Sequence, residues 1–138
     1  MLTSAQCLKV IGLPELERDM VVWMVPSEIR FNALPKKIYC NKRLAPLLSK
    51  AFENVKKRGL EDQVKTWDGC FNIRKKRGGS SSSLHSWGLA IDINAAWNGF
   101  GKKPTMLPEL VACFTDAGMD WGGAWSSPDG MHFQARAL

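Results

Sequence analysis

The chain has 138 residues, 45% of them apolar and 23% charged, enough to build one compact core and unlike the profile of a disordered chain. Nineteen Lys and Arg against thirteen Asp and Glu leave a formal charge of +6, so anionic partners are expected, among them nucleic acid, acidic lipid and cell wall. The early charges Lys9, Glu15, Glu17, Arg18, Asp19 and Glu28 are unlike a secretory signal, and the uncharged stretch 20–27 is too short to span a bilayer.

Thr3 or Ser4 can cap a first helix carrying Cys7, Leu8, Val10 and Ile11, which Gly12-Leu13-Pro14 stops. Residues 21–25 and 37–40 each fit a strand or a lining segment, in a region broken by Pro26 and Pro35. Leu44, Leu47, Leu48, Ala51, Phe52 and Val55 then form the buried stripe of an amphipathic helix over 44–58, ending at Gly59. Segments 64–67 and 70–74 flank Asp68-Gly69, which predicts a tight hairpin. The Gly/Ser run 78–83 continues the basic stretch Arg74 to Arg77 and is expected to be flexible or irregular. A strand over 88–94 follows, then a helix over 107–117 opened by Pro108 and Glu109, then a short strand over 131–135. The widely spaced Cys7, Cys40, Cys70 and Cys113 contain no C-x-x-C pair and are read as reduced and mostly buried, with two disulfides as the alternative. No internal repeat or shift in composition marks a second domain, so residues 1–138 are read as one domain.

The two histidines of the chain each lie near a carboxylate and glycines. On the strand over 88–94, Ala90, Asp92 and Asn94 share the face opposite Leu89, Ile91 and Ile93. An aspartate buried in such a strand needs a partner or a cation. A turn at Gly88 can bring His85 over the same face, and His132, sharing a strand face with Gln134, supplies a second imidazole. Two imidazoles and one carboxylate fit a catalytic zinc site with an open fourth position, while the plainer reading makes both histidines satisfied hydrogen-bonding residues. Asp129, three residues before His132 in a Gly-containing turn, is the nearest candidate base.

Ser83-Leu84-His85-Ser86-Trp87-Gly88-Leu89-Ala90-Ile91-Asp92 resembles the S-x-H-x-x-G-x-A-x-D signature of the D-alanyl-D-alanine carboxypeptidases. Trp121-Gly122-Gly123-Ala124-Trp125, followed by Asp129-Gly130-Met131-His132-Phe133, resembles their second motif, most closely in the L-alanyl-D-glutamate endopeptidase branch found among phage endolysins. The resemblance implies zinc held by His85, Asp92 and His132, with Asp129 as base. It further implies that Arg74 matches the arginine of the family's Y-R element, which binds a substrate carboxylate or the developing oxyanion. The chain departs there, with Ile73 in place of the usual aromatic and a basic, serine-rich insertion before His85.

Ser83 reads either as an orienting group at the substrate or as a turn cap, and Trp87, Trp121 and Trp125 either line a cleft or pack the interior. The expected fold is α+β: a small antiparallel sheet with the zinc site on one face and the two longer helices on the other, as in the hedgehog and D-Ala-D-Ala peptidase-like folds. The expected function is a zinc peptidase acting on peptidoglycan stem peptides at the L-Ala–D-Glu bond. It would be a phage-type endolysin, monomeric, without a membrane segment, held in the host cytoplasm until lysis. A D-Ala-D-Ala carboxypeptidase and a non-catalytic zinc-containing wall-binding module are the alternatives. Nucleic-acid binding ranks last, because the aromatics do not interleave with the basic run.

Overall fold

Local chemistry fixes the first element of the computed structural model, which describes residues 1–138. Helix α1 (Ser4–Val10) opens on a capping box: the Thr3 hydroxyl accepts from the Gln6 N–H at 3.2 Å, and the Gln6 side chain accepts from the Thr3 N–H at 2.8 Å. The two ambiguous apolar segments are both strands, β1 (Met20–Met24) and β2 (Lys37–Asn41), paired antiparallel as a sheet of their own. Helix α2 (Ala45–Lys57) buries Leu48, Ala51, Phe52 and Val55 along the predicted stripe, and Leu44 at its start is fully buried.

A second antiparallel sheet has the order β3 (Trp67–Gly69), β4 (Ala90–Ile93), β6 (His132–Ala135), β5 (Met119–Trp121). The hairpin predicted at Asp68-Gly69 does not form. Both residues lie inside β3, where pairing with β4 shifts register between Trp67 and Gly69; the φ of +118° at Gly69 serves this irregularity rather than a turn. Residues 70–74 instead leave the sheet and bond to the segment before β4, with Asn72 N–H donating to His85 O at 3.0 Å and Ser83 N–H to Arg74 O at 2.8 Å. The Gly/Ser run is thereby tied down at its base, through a Lys75–Ser82 bridge and a Lys76 N–H to Ser81 O bond of 2.8 Å. Strand β5, not foreseen in the sequence, is only three residues long and gains its identity from pairing with β6.

Helix α3 (Pro108–Thr115) packs beside α2, where Asn54 donates its amide to Cys113 O at 3.0 Å. Phe114 of α3 stacks on Phe133 of β6 at 4.5 Å between ring centroids, and Phe52 of α2 meets Phe114 edge-on at 6.4 Å. One cluster of 28 buried apolar residues runs from Leu2 to Ala135 and takes in both sheets and all three helices. Each fully buried Leu, Ile or Phe in it contributes roughly 1.5–3 kcal/mol relative to exposure. All four cysteines are buried free thiols, and burial pushes Cys7 and Cys40 up to about 11. No helix is long and apolar enough to cross a membrane.

Helices α2 and α3 pack on the side of the four-stranded sheet that carries Phe133, yet every residue of β4 and β6 is buried, and on the opposite face the segment before α1 meets the sheet where Gln134 Nε2 donates to Leu2 O at 3.5 Å. That face carries Asp92, His132 and Gln134, all under 9% exposed, and polar side chains so placed must be paired or hold an ion.

Candidate metal centre and cleft

His85 reaches this face through a 3-10 turn, Leu84–Trp87, that precedes β4. The Ser83 hydroxyl caps the turn by accepting from the His85 N–H at 3.3 Å, and Gly88 closes it at φ +65°. A Cβ at Gly88 would lie 2.8 Å from the Asn41 backbone nitrogen, whose N–H donates to Gly88 O at 3.0 Å. Glycine is thus required there both by backbone conformation and by the close approach of β2. Gly122 has the corresponding part in the second motif: its carbonyl accepts from the Asp129 N–H at 2.9 Å, and a Cβ would sit 2.6 Å from Asp129 O. The chain from 129 to 132 folds directly over it, with His132 N–H bonded to Asp129 O at 3.1 Å.

Asp92 and His132 are register partners on β4 and β6. His85 Nε2 lies 3.3 Å and His132 Nδ1 3.6 Å from Asp92 Oδ1, and the two imidazole nitrogens are 3.2 Å apart. The three side chains can offer ligand atoms that all fall within 4.8 Å of one another. Their outward partners fix which atoms face inward. His85 Nδ1 bonds Cys70 O at 2.6 Å, and His132 Nε2 bonds Gln134 Oε1 at 2.9 Å, so each ring spends its proton on an acceptor and turns a bare nitrogen toward Asp92. Two lone pairs 3.2 Å apart beside a carboxylate repel unless a cation stands among them, and Asp92 Oδ1 is buried without a hydrogen bond. This donor set fits a metal ion held by His85, Asp92 and His132. Burial works to raise the Asp92 carboxyl; when the imidazoles instead carry protons toward it, their charge and hydrogen bonds outweigh burial and hold the group well below the usual carboxylate range.

Asp129 flanks the cluster, its Oδ2 3.9 Å from His132 Nδ1, and its Oδ1 is also buried without a hydrogen bond. Burial raises its carboxyl above the ordinary value, against the pull of His132. Arg74 lies at the other side, with Nη2 4.0 Å from Asp92 Oδ2. A cleft of about 420 Å³ opens over His132 and Asp129, walled by Arg74, Ser83 and Trp125 among others, and a cavity of about 270 Å³ lies beyond His85 and Asp92. Arg74 borders both.

The predicted cluster of His85, Asp92, His132, Asp129 and Arg74 therefore comes together. Trp125 stands in the cleft wall with its ring 5.3 Å from that of His132, and Ser83 both caps its turn and lines the cleft. Trp87 does not reach the cleft. Its indole is 2% exposed and donates to Gly12 O at 2.8 Å, so it anchors the segment after α1 to the turn that carries His85. Trp121 likewise packs on Phe133 and donates to Gly130 O at 2.8 Å. Sequence reasoning assigned nothing to Gln134 or Arg77. Gln134 was legible, two residues after His132 on one strand face; Arg77 was not, because only the folded hairpin carries its Nη1 to 3.7 Å from Asp129 Oδ1.

A family model described as D-alanyl-D-alanine carboxypeptidase matches residues 76–135, a little under half of the chain, and supports that family resemblance. The match takes in His85, Asp92, Asp129 and His132 but stops short of Arg74. No curated protein and no solved structure matches the chain.

Proposed function

We propose that the chain is a single-domain, monomeric zinc peptidase with a hedgehog or D-Ala-D-Ala peptidase-like fold that hydrolyses the L-Ala–D-Glu bond of peptidoglycan stem peptides. The observation that carries this reading is the convergence of two inward-facing imidazole nitrogens on an orphaned carboxylate oxygen, with a second orphaned carboxylate alongside. The family match over 76–135 supports the same chemistry. Three protein ligands are the number that a catalytic zinc site uses.

Zinc bound by His85, Asp92 and His132 supplies Lewis-acid polarisation and eases deprotonation of water. The remaining steps belong to the protein. Asp129, its carboxyl raised by burial, takes a proton from the attacking water and delivers it to the leaving amine. Arg74 binds the negative charge that develops or resides beside the scissile bond. Trp125 and Ser83, as walls of the cleft, position the peptide. The role proposed is that of a phage-type lysis enzyme, kept in the host cytoplasm until it gains access to the wall.

A second reading, D-Ala-D-Ala carboxypeptidase, is favoured by the description of the matching family. Mass spectrometry of muropeptides after digestion separates the two. Endopeptidase action leaves L-alanine carboxyl termini on the glycan side and frees peptides beginning with D-Glu; carboxypeptidase action removes one terminal D-Ala. Unchanged muropeptides contradict both.

A further inference from the structure

The basic hairpin between residues 74 and 83 brings more than Arg74 to the cleft. Lys76 and Arg77 line it too, and among its lining residues Asp129 is the sole acid. The base of the hairpin is held by the Arg74–Ser83 and Lys76–Ser81 backbone bonds, and Ser86 Oγ adds a 3.0 Å bond to Arg74 O. Its tip turns at Gly78, φ +71°, where nothing lies within 4 Å of a Cβ position. The Arg77 side chain, 43% exposed, comes back from that tip to 3.7 Å from Asp129 Oδ1.

This pairing is incomplete on both sides. At 3.7 Å the contact is beyond hydrogen-bond range, and Asp129 Oδ1 accepts no hydrogen bond from any group. The guanidinium's one hydrogen bond is to the weak acceptor Met131 Sδ at 3.8 Å. A five-donor fork is thus held near a carboxylate without the bidentate geometry that guanidinium and carboxylate adopt when free to do so.

We propose that Arg77 is a second carboxylate-recognising side chain of the cleft, apart from Arg74 beside the scissile bond, held against Asp129 in the free protein and transferred to a carboxylate of the peptide substrate on binding. Arg74 lies elsewhere, beside Asp92 and bonded through Nη1 to Lys75 O at 3.4 Å, so its reach is toward the metal cluster rather than toward Asp129. The transfer frees Asp129 only when an acidic peptide occupies the cleft, which links substrate choice to the base. The inference rests on the peptidase reading for its substrate, but the binding of a carboxylate by Arg77 does not require turnover.

The test therefore uses a probe that cannot be cleaved. Glutarate, and its uncharged twin glutaramide, are titrated by NMR into metal-loaded wild-type protein, Arg77→Gln, Asp129→Asn and the double variant. Glutarate affinity is expected to fall about tenfold or more in Arg77→Gln, the usual consequence of losing a charge-assisted bond, while glutaramide binding is unchanged. Asp129→Asn should tighten glutarate binding more when Arg77 is present than in the double variant, where only the lost repulsion between two anions remains. Equal glutarate affinity in wild type and Arg77→Gln, or no glutarate binding by wild type, overturns the proposal. Arg77-dependent glutarate binding by a protein that cleaves no peptide retains it and rejects the peptidase reading; peptide cleavage with glutarate binding indifferent to Arg77 does the reverse.

Discussion

At the scale of the residue, the site depends on which atom each side chain is compelled to present. The Gln134 carbonyl directs His132 Nδ1 inward, and the Cys70 carbonyl directs His85 Nε2. Removing such an outer partner leaves the ligand in place but free to rotate. Gln134→Ala is expected to weaken metal affinity by about 10–100-fold without loss of fold, as outer-shell deletions do, and competition with a chromophoric chelator measures it. Unchanged affinity would show that β6 alone holds the ring. Asp129→Asn is nearly isosteric and touches no proposed ligand bond, so it should keep the metal and lose about two orders of magnitude in kcat or more. Full turnover at unchanged metal content would place the base elsewhere. His85, Asp92 and His132 stood out because a carboxylate in an apolar strand and isolated histidines beside glycines demand an explanation, but only their resemblance to the family motifs favoured a metal site over ordinary hydrogen bonding. Trp87 was not, since an indole looks alike in sequence whether it lines a cleft or donates to Gly12 O.

At the scale of the element, the 3-10 turn over Leu84–Trp87 decides whether His85 meets the sheet at all, and Gly88 decides the turn. Gly88→Ala combines a left-handed backbone with a Cβ 2.7 Å from Met20 Cε and 2.8 Å from Asn41 N, an arrangement expected to cost about 1–3 kcal/mol. Urea unfolding checks the cost, and an unchanged midpoint would mean that β1 and β2 yield without penalty. Helix α2 could be read directly from Leu44, Leu48, Phe52 and Val55, because a long amphipathic period is set by the chain itself. The hairpin at Asp68-Gly69 could not be excluded by the same logic. In the fold the Asp68 carboxylate accepts from the Thr66 hydroxyl at 2.7 Å and the Ala95 N–H at 2.9 Å, long-range and local partners that hold the dipeptide within β3. Strand β5 was illegible for a related reason: three residues carry no period, and only β6 makes Met119–Trp121 a strand.

At the scale of the whole molecule, the cluster of His85, Asp92 and His132 joins a turn and two strands that are far apart in sequence, between a helical layer and a basic hairpin. The α+β class and the two principal helices follow from local pattern and residue type, whereas the proposal of His85, Asp92 and His132 as metal ligands needed the resemblance to family motifs as well. Division into two sheets and the approach of Arg77 to Asp129 arise only when distant segments meet. If the cluster is the organising centre, metal binding must depend on both histidines equally, since neither supplies a site without the other. Elemental analysis of the purified protein after zinc loading and desalting tests this most directly, alongside His85→Ala and His132→Ala. The account predicts about one zinc per wild-type chain, as for a three-ligand catalytic site, and little in either variant. A wild-type chain without zinc, or stoichiometric zinc retained by both variants, would contradict it.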